Sequence, residues 1–421
     1  MESHLHSEGF KDLTRVEDAL RILVRNVGQP AFKLERVEIR SSLGRILGER
    51  IVAHQFIPPA DKSVMDGYAV RSEDVQSASE KRLVILKVIG ESRLGRVCRV
   101  TVKPSTAVAV ATGSLIPTGA DAVVIVERTT SLPGHKIKVH EAAHRGENIS
   151  KKGEDVAPGT VVLAKGKRLR SQDIGILKRL GIDDVKVVGR LRIGILSTGN
   201  ELVDSPKKNT MANVVDINRP LLAAMVLELG ARPIDLGIVR DKEADIIKGL
   251  VRGLKTCDII LVTAGSSVGK KDLVPDCINK LGKPGMLVHG IAMRPSMPTG
   301  FGVVKGKPIL SLPGFPVSAI FAFRVFGRPL IARLMGTEET VDPVVRAVLK
   351  ERVSGPPGYR TFVRVRVRRS PYGLVAEPLK LQRASLMMSM VAANGIVTIP
   401  EDVAAFEAGQ VVEVAVIGEI E

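Results

Sequence analysis

The residues best suited to chemistry are hydroxyls, glycines and carboxylates that follow short apolar runs between residues 191 and 337. The segments that carry them are STGNE from Ser197, TAGSSVGKKD from Thr263, Arg294-Pro295, and LPGFP from Leu312. Small residues let backbone N–H groups approach an anion, and hydroxyls add further donors. One such loop alone is more often a structural turn, but four at one edge of a sheet favour a phosphate or oxyanion site.

Four acidic residues near these loops stand out because the chain is basic, with 62 Lys and Arg against 45 Asp and Glu. They are Glu201, Asp216, Asp241 and Asp272. Carboxylates beside a phosphate-binding loop are typical ligands of Mg²⁺. Asp241 and Asp272 are equally suited to cap helices predicted to begin one residue later.

A second group of polar segments lies in a region of short apolar runs and turn formers from residue 57 onward. These segments are PPADKSVMDGYA from Pro58, ATGSLIPTGADAVV from Ala111, and GED from Gly153. Asp and Gly also serve the geometry of hairpin turns, so spacing alone does not separate a site from a turn here.

The elements that must position these groups follow two patterns. Strands alternate with helices from residue 191, which predicts a doubly wound, mainly parallel α/β sheet. Short strands predict a β-rich module before it and a small β-barrel after it. Helices are expected at 11–27, where Thr14 and Glu17 form a capping-box pattern, and near 41–52. The predicted domains are a discontinuous N-terminal helix and strand domain (1–56 and 157–187), the β-rich module (57–156), the α/β domain (188–337) and the barrel (338–421).

Composition excludes several classes of function. The net charge of +17 favours anionic partners, while aromatic residues at 3% with no Trp leave little for stacking single-stranded nucleic acid. No apolar run reaches the roughly 18 residues of a membrane-spanning helix. The three cysteines form no CxxC pair, so neither a disulfide framework nor a zinc site is expected. The chain is expected in the cytoplasm, with no nucleic-acid or membrane partner.

One basic stretch lies in the region of the predicted barrel. RTFVRVRVRR, from Arg360, alternates Val and Arg and places Arg364, Arg366 and Arg368 on one face of a strand. A solvated strand is favoured over an RNA-binding patch.

Seven motifs occur in an order that resembles one family. They are DKSVMDGYAV, TGSLIPTGADAVV, KKGED, STGNEL, LGIVRD, SSVGKKD and LPGFPVSA. The sequence resembles the molybdopterin molybdenumtransferase family, called MoeA in bacteria and represented in animals by the E domain of gephyrin. The similarity extends from Asp12 to the predicted barrel.

The resemblance implies an elongated subunit of four domains in a homodimer, with a cleft where the β-rich module of one subunit faces the α/β domain of the other. It implies insertion of molybdenum from molybdate into adenylylated molybdopterin, with Mg²⁺ and release of AMP. Adenylylated molybdopterin, molybdate or tungstate, and the molybdopterin adenylyltransferase are then the expected partners. The metal-ligating sulfurs belong to the pterin, which agrees with the lack of a cysteine cluster.

The resemblance also assigns roles to residues. Asp61, Thr112, Asp155 and Asp272 are the expected catalytic residues, the first three on the pterin side of the cleft. Glu201, Asp241 and Asp272 are the expected Mg²⁺ ligands. The expected substrate-binding residues are Ser63, Thr198, Glu201, Ser266, Ser267, Gly269, Arg294, Pro295, Pro298, Pro313 and Gly314.

The sequence departs from the family pattern in the predicted anion site. Gly290 and Met297 stand where relatives have Lys, Phe315 stands for Asn in the L-P-G-N-P motif, and Ala264 stands for Gly. The lost cations favour an alternative function, a molybdopterin-binding paralogue that acts as a carrier or dimeric scaffold without inserting metal. The retained acids favour the enzyme. Nothing in the sequence separates molybdate from tungstate.

Overall fold

A computed structural model describes residues 13–28, 33–206, 212–264, 272–339 and 341–421. The chain forms two compact units. One consists of residues 36–43 and 47–186, and the other of residues 1–35, 44–46 and 187–421. This division is coarser than the four predicted domains, whose boundaries stay a prediction. In the part of the chain described, no helix is both long and apolar enough to span a lipid bilayer.

The N-terminal segment holds helix α1 (Val16–Asn26) and strand β1 (Leu34–Glu38). The apolar spacing predicted α1 correctly, and its side chains Val16, Ala19 and Leu23 are buried. The predicted capping box is wrong, because α1 begins after Arg15 with no side-chain cap and the Thr14 amide donates to the Gly290 carbonyl (3.0 Å). The helix predicted near 41–52 is also absent, since a 3₁₀ turn ends at Ser41 and a short strand begins at Ile51.

The unit of residues 36–43 and 47–186 is rich in β-strands, as predicted. Its elements, with the strand that leads out of it, are β2 (Ile51–Val52), β3 (Lys62–Ser63), β4 (Gly67–Val70), α2 (Ser72–Val75), β5 (Val84–Ser92), β6 (Thr106–Val110), β7 (Ala122–Ile125), β8 (Thr129–Leu132), β9 (Lys136–Val139), β10 (Ile149–Ser150), β11 (Val161–Leu163), α3 (Ser171–Arg179) and β12 (Asp184–Val188). Six strands form one sheet in the order β7-β4-β6-β5-β9-β8. Its core includes Val70, Leu86, Val124 and Ile137.

The α/β region of the other unit contains β13 (Arg192–Thr198), β14 (Leu202–Val203), β15 (Val214–Val215), α4 (Asn218–Glu228), β16 (Arg232–Val239), α5 (Glu243–Thr256), β17 (Ile259–Ala264), α6 (Val274–Leu281), β18 (Pro284–His289), β19 (Met293–Arg294), β20 (Gly300–Val304), β21 (Lys307–Pro313), α7 (Pro316–Ala322) and α8 (Arg328–Met335). A π-helical turn, Phe323–Gly327, joins α7 to α8. Six strands form a sheet in the order β16-β13-β17-β21-β20-β18, in which β16, β13, β17 and β21 are parallel.

Both faces of this sheet are covered, which confirms the doubly wound prediction. Successive residues of a strand point to opposite faces, and here both faces are apolar. Ile195 and Leu261 pack in one core with α4 and α8. Leu196 and Val262 pack in a second core with α5 and α6. The strands are therefore buried on both sides, and their carboxyl ends form the edge that is free to bind a ligand.

The C-terminal strands close into the predicted barrel. The elements are β22 (Val344–Leu349), β23 (Val353–Ser354), β24 (Arg360–Ser370), β25 (Gly373–Pro378), α9 (Met388–Val391), β26 (Gly395–Ile399), β27 (Ala405–Phe406) and β28 (Val411–Val416). Five strands run in the order β24-β25-β22-β28-β26, and a further pairing of β26 with β24 completes the circle. The barrel interior contains Val363, Val365 and Val367 of β24, so the residues between them face outward. Strand β19 pairs with Arg360 and Thr361, the first two residues of β24.

Candidate functional site

A cavity of about 400 Å³ opens at the carboxyl ends of β13, β17 and β21. Its lining includes Thr198, Glu201, Thr263, Gly314 and Phe315. The structure thus brings together three predicted substrate-binding residues (Thr198, Glu201 and Gly314). They lie at the carboxyl ends of the parallel strands, where such sheets bind their ligands. Pro313, the last residue of β21, is buried directly before Gly314.

The hydroxyls at this edge are held in fixed positions. The Ser197 and Thr263 hydroxyls hydrogen-bond to each other at 2.9 Å. The Thr198 hydroxyl donates a short hydrogen bond to the Asp241 carboxylate. Asp241 does not cap the following helix, because α5 begins at Glu243 after Lys242 with no side-chain cap. The capping alternative for Asp241 is therefore wrong, and its carboxylate is linked to the cavity through Thr198.

Asp216, in contrast, has a structural role. Its carboxylate accepts from the Arg219 guanidinium (2.6 Å) and from the Asn218 amide (3.0 Å) at the start of α4. Arg219 also pairs with Asp235 (2.7 Å). Burial works against the charged guanidinium, but the two carboxylates outweigh it and raise the pKa of Arg219. These contacts fix the start of α4 at the cavity wall.

Asp272 lies at the start of α6. Leu273 holds the N-cap position of α6 without a side-chain cap, so Asp272 is not the N-cap residue, although its carboxylate accepts from the Val274 amide (3.1 Å). The carboxylate also lies 3.2 Å from the His289 imidazole. The neighbouring predicted residues Ser266, Ser267 and Gly269 fall outside the described residues.

The donor set suits Mg²⁺ only in part. Within the described ranges, no three side chains of His, Cys, Asp or Glu are grouped closely enough to hold a metal ion. Mg²⁺ commonly uses one or two carboxylates together with substrate phosphates, and Glu201 in the cavity wall is such a donor. Glu201 is therefore one carboxylate that Mg²⁺ could share with a phosphorylated ligand, and the assignment of Glu201, Asp241 and Asp272 to Mg²⁺ stays a prediction.

The predicted residues after β18 form a separate group that does not line the cavity. The guanidinium of Arg294 lies 5.2 Å from the centre of the Tyr359 ring. Pro295 and Pro298 are half-buried on either side of a turn that is held by the Ser296 hydroxyl, which donates to the Ser318 carbonyl in α7 (2.7 Å).

Arg364 is a charged residue that sequence reasoning placed wrongly. Its side chain is fully buried rather than solvated, and its three guanidinium nitrogens have no hydrogen-bond partner among the described residues. Burial lowers the pKa of Arg364 to about 10. Arg366 and Arg368, on the same face of β24, instead reach Glu421 at 3.6 and 3.0 Å.

The segment that is hydrogen-bonded to the Arg364 backbone also reaches the cavity. The Arg364 amide donates to the Gln382 side chain (3.1 Å), and the Gln382 side chain donates back to the Arg364 carbonyl (2.9 Å). Two residues further on, the Ala384 carbonyl accepts from Val317 of α7 (3.2 Å), and Ser385 lines the cavity. The backbone of Arg364 is thus connected to the cavity through the segment from Gln382 to Ser385.

The other unit holds the remaining predicted residues. Asp61 accepts from the Lys151 ammonium (2.9 Å) and from the Lys152 amide (2.8 Å). Partial burial works to raise the pKa of Asp61, but these hydrogen bonds and the Lys151 charge outweigh it and lower the pKa. The buried Ser63 hydroxyl donates to the Met65 carbonyl (2.6 Å) and so holds the turn after Asp61.

Thr112 contacts an acid that the prediction left out of the site. Its amide and its hydroxyl both donate to the Asp66 carboxylate, at 2.7 and 2.9 Å, and these bonds lower the pKa of Asp66. The next residue must be glycine, because a Cβ at Gly67 would lie 2.1 Å from the Val124 carbonyl oxygen. The motif DKSVMDGYA therefore contained the signal for Asp66.

Asp155 lines an open cavity of about 500 Å³ in the same unit. Asn148, Ser150 and Glu154 also line this cavity. Glu154 is fixed by the Ser150 hydroxyl (2.7 Å) and the Lys151 amide (3.0 Å). Asp61 and Asp155 are thus linked by the segment from Ser150 to Asp155.

Comparison with known proteins agrees with these observations. Family models match residues 14–181 (MoeA N-terminal region, domain I and II), 194–333 (probable molybdopterin binding domain) and 346–417 (MoeA C-terminal region, domain IV).

Relatives and solved structures cover nearly the whole chain. Molybdopterin molybdenumtransferase 2 of Mycobacterium tuberculosis is 34% identical over 90% of this chain and 94% of its own. The Staphylococcus aureus molybdopterin molybdenumtransferase is 32% identical over 95% and 94%. The crystal structure of the molybdopterin biosynthesis moeA protein from Pyrococcus horikoshii OT3 matches 96% of this chain and 100% of its own, with a TM-score of 0.84 and 31% identity. The chain therefore belongs to the molybdopterin molybdenumtransferase family, which acts in molybdenum cofactor biosynthesis.

Proposed function

We propose that this protein inserts molybdenum from molybdate into the dithiolene of adenylylated molybdopterin, with Mg²⁺ as cofactor and with release of AMP. Both sulfurs of the dithiol bind the metal, and their two protons leave with one oxygen of molybdate as water. The metal keeps its oxidation state. Hydrolysis of the phosphoanhydride supplies the AMP. The same chemistry accepts tungstate in place of molybdate.

The observation that carries the proposal is the buried, unpaired guanidinium of Arg364. A buried charge without a partner is costly, and a compact oxyanion is the ligand that compensates it with charge-assisted hydrogen bonds. Arg364 thereby offers one buried cation to the oxyanion, although Met297 and Gly290 stand where relatives have lysines. The segment whose Gln382 side chain is hydrogen-bonded to the Arg364 backbone also contributes Ser385 to the cavity, which supports an oxyanion site beside a space for the pterin nucleotide.

The acids of the cavity serve the nucleotide end of the substrate. Glu201, with Asp241 or Asp272, would hold Mg²⁺ together with phosphate oxygens of the ligand. Bound there, the ion would neutralise charge as the P–O bond breaks. Thr198 orients Asp241 through its hydroxyl. Asp61, Thr112 and Asp155 would act on the pterin side.

We further propose that the protein works as a homodimer in the cytoplasm and receives its substrate from a molybdopterin adenylyltransferase. The support is the resemblance of the whole chain to the family, together with the basic charge of +17, which favours an anionic substrate.

The decisive experiment is incubation of the protein with adenylylated molybdopterin, Mg²⁺ and either molybdate or tungstate. AMP release and protein-bound or pterin-bound metal are measured together. We expect stoichiometric AMP and metal retention in the wild type, and loss of metal retention in Arg364→Met. AMP release without retained metal contradicts the insertion reaction. Substrate binding with neither AMP nor metal supports the carrier alternative.

A further inference from the structure

Apolar side chains form much of the cavity lining at the ends of β13 and β21. Leu202, Val214, Val215 and Ile217 line it beside Phe315. Phosphates, Mg²⁺ and molybdate make no use of such a surface, because they are recognised by charged and polar groups. This part of the lining therefore favours a ligand group that has an apolar surface and a flat or compact shape.

Phe315 is the unusual residue of this lining. It is 47% exposed, whereas Phe301, Phe321 and Phe323 are fully buried. It also occupies the N-cap position of α7 without a side-chain cap. Ser, Thr, Asp and Asn are the residues favoured at such a position. Phe315 therefore neither caps the helix nor is buried, and its aromatic ring is exposed to the cavity.

Asn218 supplies a polar group to the same cavity. Its side chain is 7% exposed, and its amide nitrogen donates to the Gly314 carbonyl (2.7 Å). This bond fixes the orientation of the amide, so its Oδ1 is the remaining acceptor. Oδ1 is buried and has no hydrogen-bond partner among the residues described. An unpaired buried acceptor is unfavourable unless a ligand donates to it.

We infer that Phe315 and Asn218 together bind a planar heteroaromatic ring that carries an exocyclic amine. The ring stacks on Phe315, and the amine donates to Asn218 Oδ1. The inference rests on the proposed function, because both the adenine and the pterin of adenylylated molybdopterin have this chemistry. It adds to that function a specificity site built from a residue, Phe315, that departs from the family motif.

The test uses the two rings separately, as AMP and as 6-hydroxymethylpterin. Wild type, Phe315→Leu and Phe315→Tyr are titrated with each, with Tyr372→Leu as the control because Tyr372 is an almost fully exposed aromatic residue on the barrel. AMP binding is followed by calorimetry. Pterin binding is followed by quenching of pterin fluorescence, which is free of tryptophan emission since the chain has no Trp.

We expect Phe315→Leu to weaken binding of one ring by roughly tenfold, with Phe315→Tyr and Tyr372→Leu unchanged. A loss confined to AMP assigns adenine to the site, and a loss confined to 6-hydroxymethylpterin assigns the pterin. Unchanged affinity of Phe315→Leu for both rings, or no binding of either ring by wild type, overturns the inference.

A comparison of ligands tests Asn218 without altering the protein. The ring that binds is compared with its analogue lacking the amine, which is purine riboside 5′-monophosphate for AMP and the 2-deamino compound for the pterin. We expect the analogue to bind wild type roughly tenfold more weakly. Equal affinity removes Asn218 from the site.

Failure of this inference is distinguishable from failure of the proposed function. Ring binding that depends on Phe315, in a protein that releases no AMP and retains no metal, leaves the ring site in place and contradicts the transferase reaction. Metal insertion by wild type with ring affinities that ignore Phe315 leaves the transferase reaction in place and contradicts the ring site.

Discussion

Arg364 is a residue at which stability and function oppose each other. Its guanidinium is fully buried without an acceptor among the described residues, and burial holds its pKa at about 10. Such a charge destabilises the fold, whereas the proposed function uses it as the group that binds the oxyanion. Removal of the guanidinium is therefore expected to increase stability and to decrease activity.

Arg364→Met should raise the free energy of unfolding by about 1–3 kcal/mol and abolish metal retention. A lowered folded pKa means that the cost is fully present below about pH 10 and decreases as the pH rises from there towards the ordinary arginine value. The stability gain of Arg364→Met should therefore shrink above pH 10. Urea unfolding from pH 7 to 11 measures this, with Arg366→Met as the control. A less stable Arg364→Met protein at pH 7 would mean that the guanidinium stabilises the fold.

Asp61 and Lys151 give a second test at a single pair of side chains. Partial burial of Asp61 is outweighed by hydrogen bonds from Lys151 and Lys152, so its pKa is lowered and the carboxylate stays ionised into the acid range. Lys151→Met should move the acid limb of the activity profile to higher pH, and Asp61→Asn should be nearly inactive at every pH. Lys152→Met is the matched control, since its contact with Asp61 is through the backbone amide. An acid limb that stays in place in Lys151→Met would remove Asp61 as the titrating group.

Helix α3 depends on one buried carboxylate. Asp173 is 3% exposed, and it accepts from Lys167 (2.7 Å) and from the Arg170 amide at the start of the helix (2.9 Å). Burial works to raise its pKa, but these partners outweigh it and lower the pKa. The stabilisation is present above the ordinary carboxyl pKa and is lost as the pH falls through the lower folded value.

Asp173→Ala should destabilise the unit that contains α3 by about 2–3 kcal/mol at pH 7, because Lys167 is left without its partner. Asp183→Ala, which removes a largely exposed partner of Lys178, should cost at most about 0.5 kcal/mol. Urea unfolding followed by circular dichroism compares the two variants. The difference between wild type and Asp173→Ala should close at low pH. Equal effects of the two substitutions would show that the Asp173 cap adds nothing.

The elements were predictable where local pattern and tertiary packing agree. Strands such as β13 and β17, buried on both faces, appear as apolar runs between helices, and the rule for strand ends then places Thr198 and Glu201 at a ligand site. The cap of α1 was not predictable, because the Thr14 backbone is bonded to Gly290, far away in sequence. The burial of Arg364 was not predictable either, since alternation shows that its side chain faces away from the barrel interior but not that it is buried there.

At the scale of the whole protein, the prediction to be tested is the homodimer. The family resemblance implies a homodimer in which Asp61 and Asp272 of one catalytic centre come from different chains. Asp61→Ala and Asp272→Ala homodimers should each be nearly inactive. In mixed dimers one centre carries both lesions and the other none. Random pairing should therefore restore about a quarter of wild-type activity.

Co-expression of the two variants with separable tags measures this recovery, and sedimentation confirms that the mixed species is a dimer. Two Asp61→Ala chains with different tags serve as the control and should recover nothing. Absence of recovery from purified, folded mixed dimers would place both acids in one chain's own centre.

Strand β24 limits how this family member can change over evolutionary time. Its eleven residues pair with β19, β25 and β26, with Val363, Val365 and Val367 inside the barrel and Arg364, Arg366 and Arg368 on the opposite face. Because the two faces alternate residue by residue, insertion or deletion of a single codon before Arg364 would turn its guanidinium into the apolar interior and a valine outward. The strand can accept substitutions one at a time, whereas its length is fixed by three neighbours at once, so divergence in this region should proceed by exchange of residues and not by change of length.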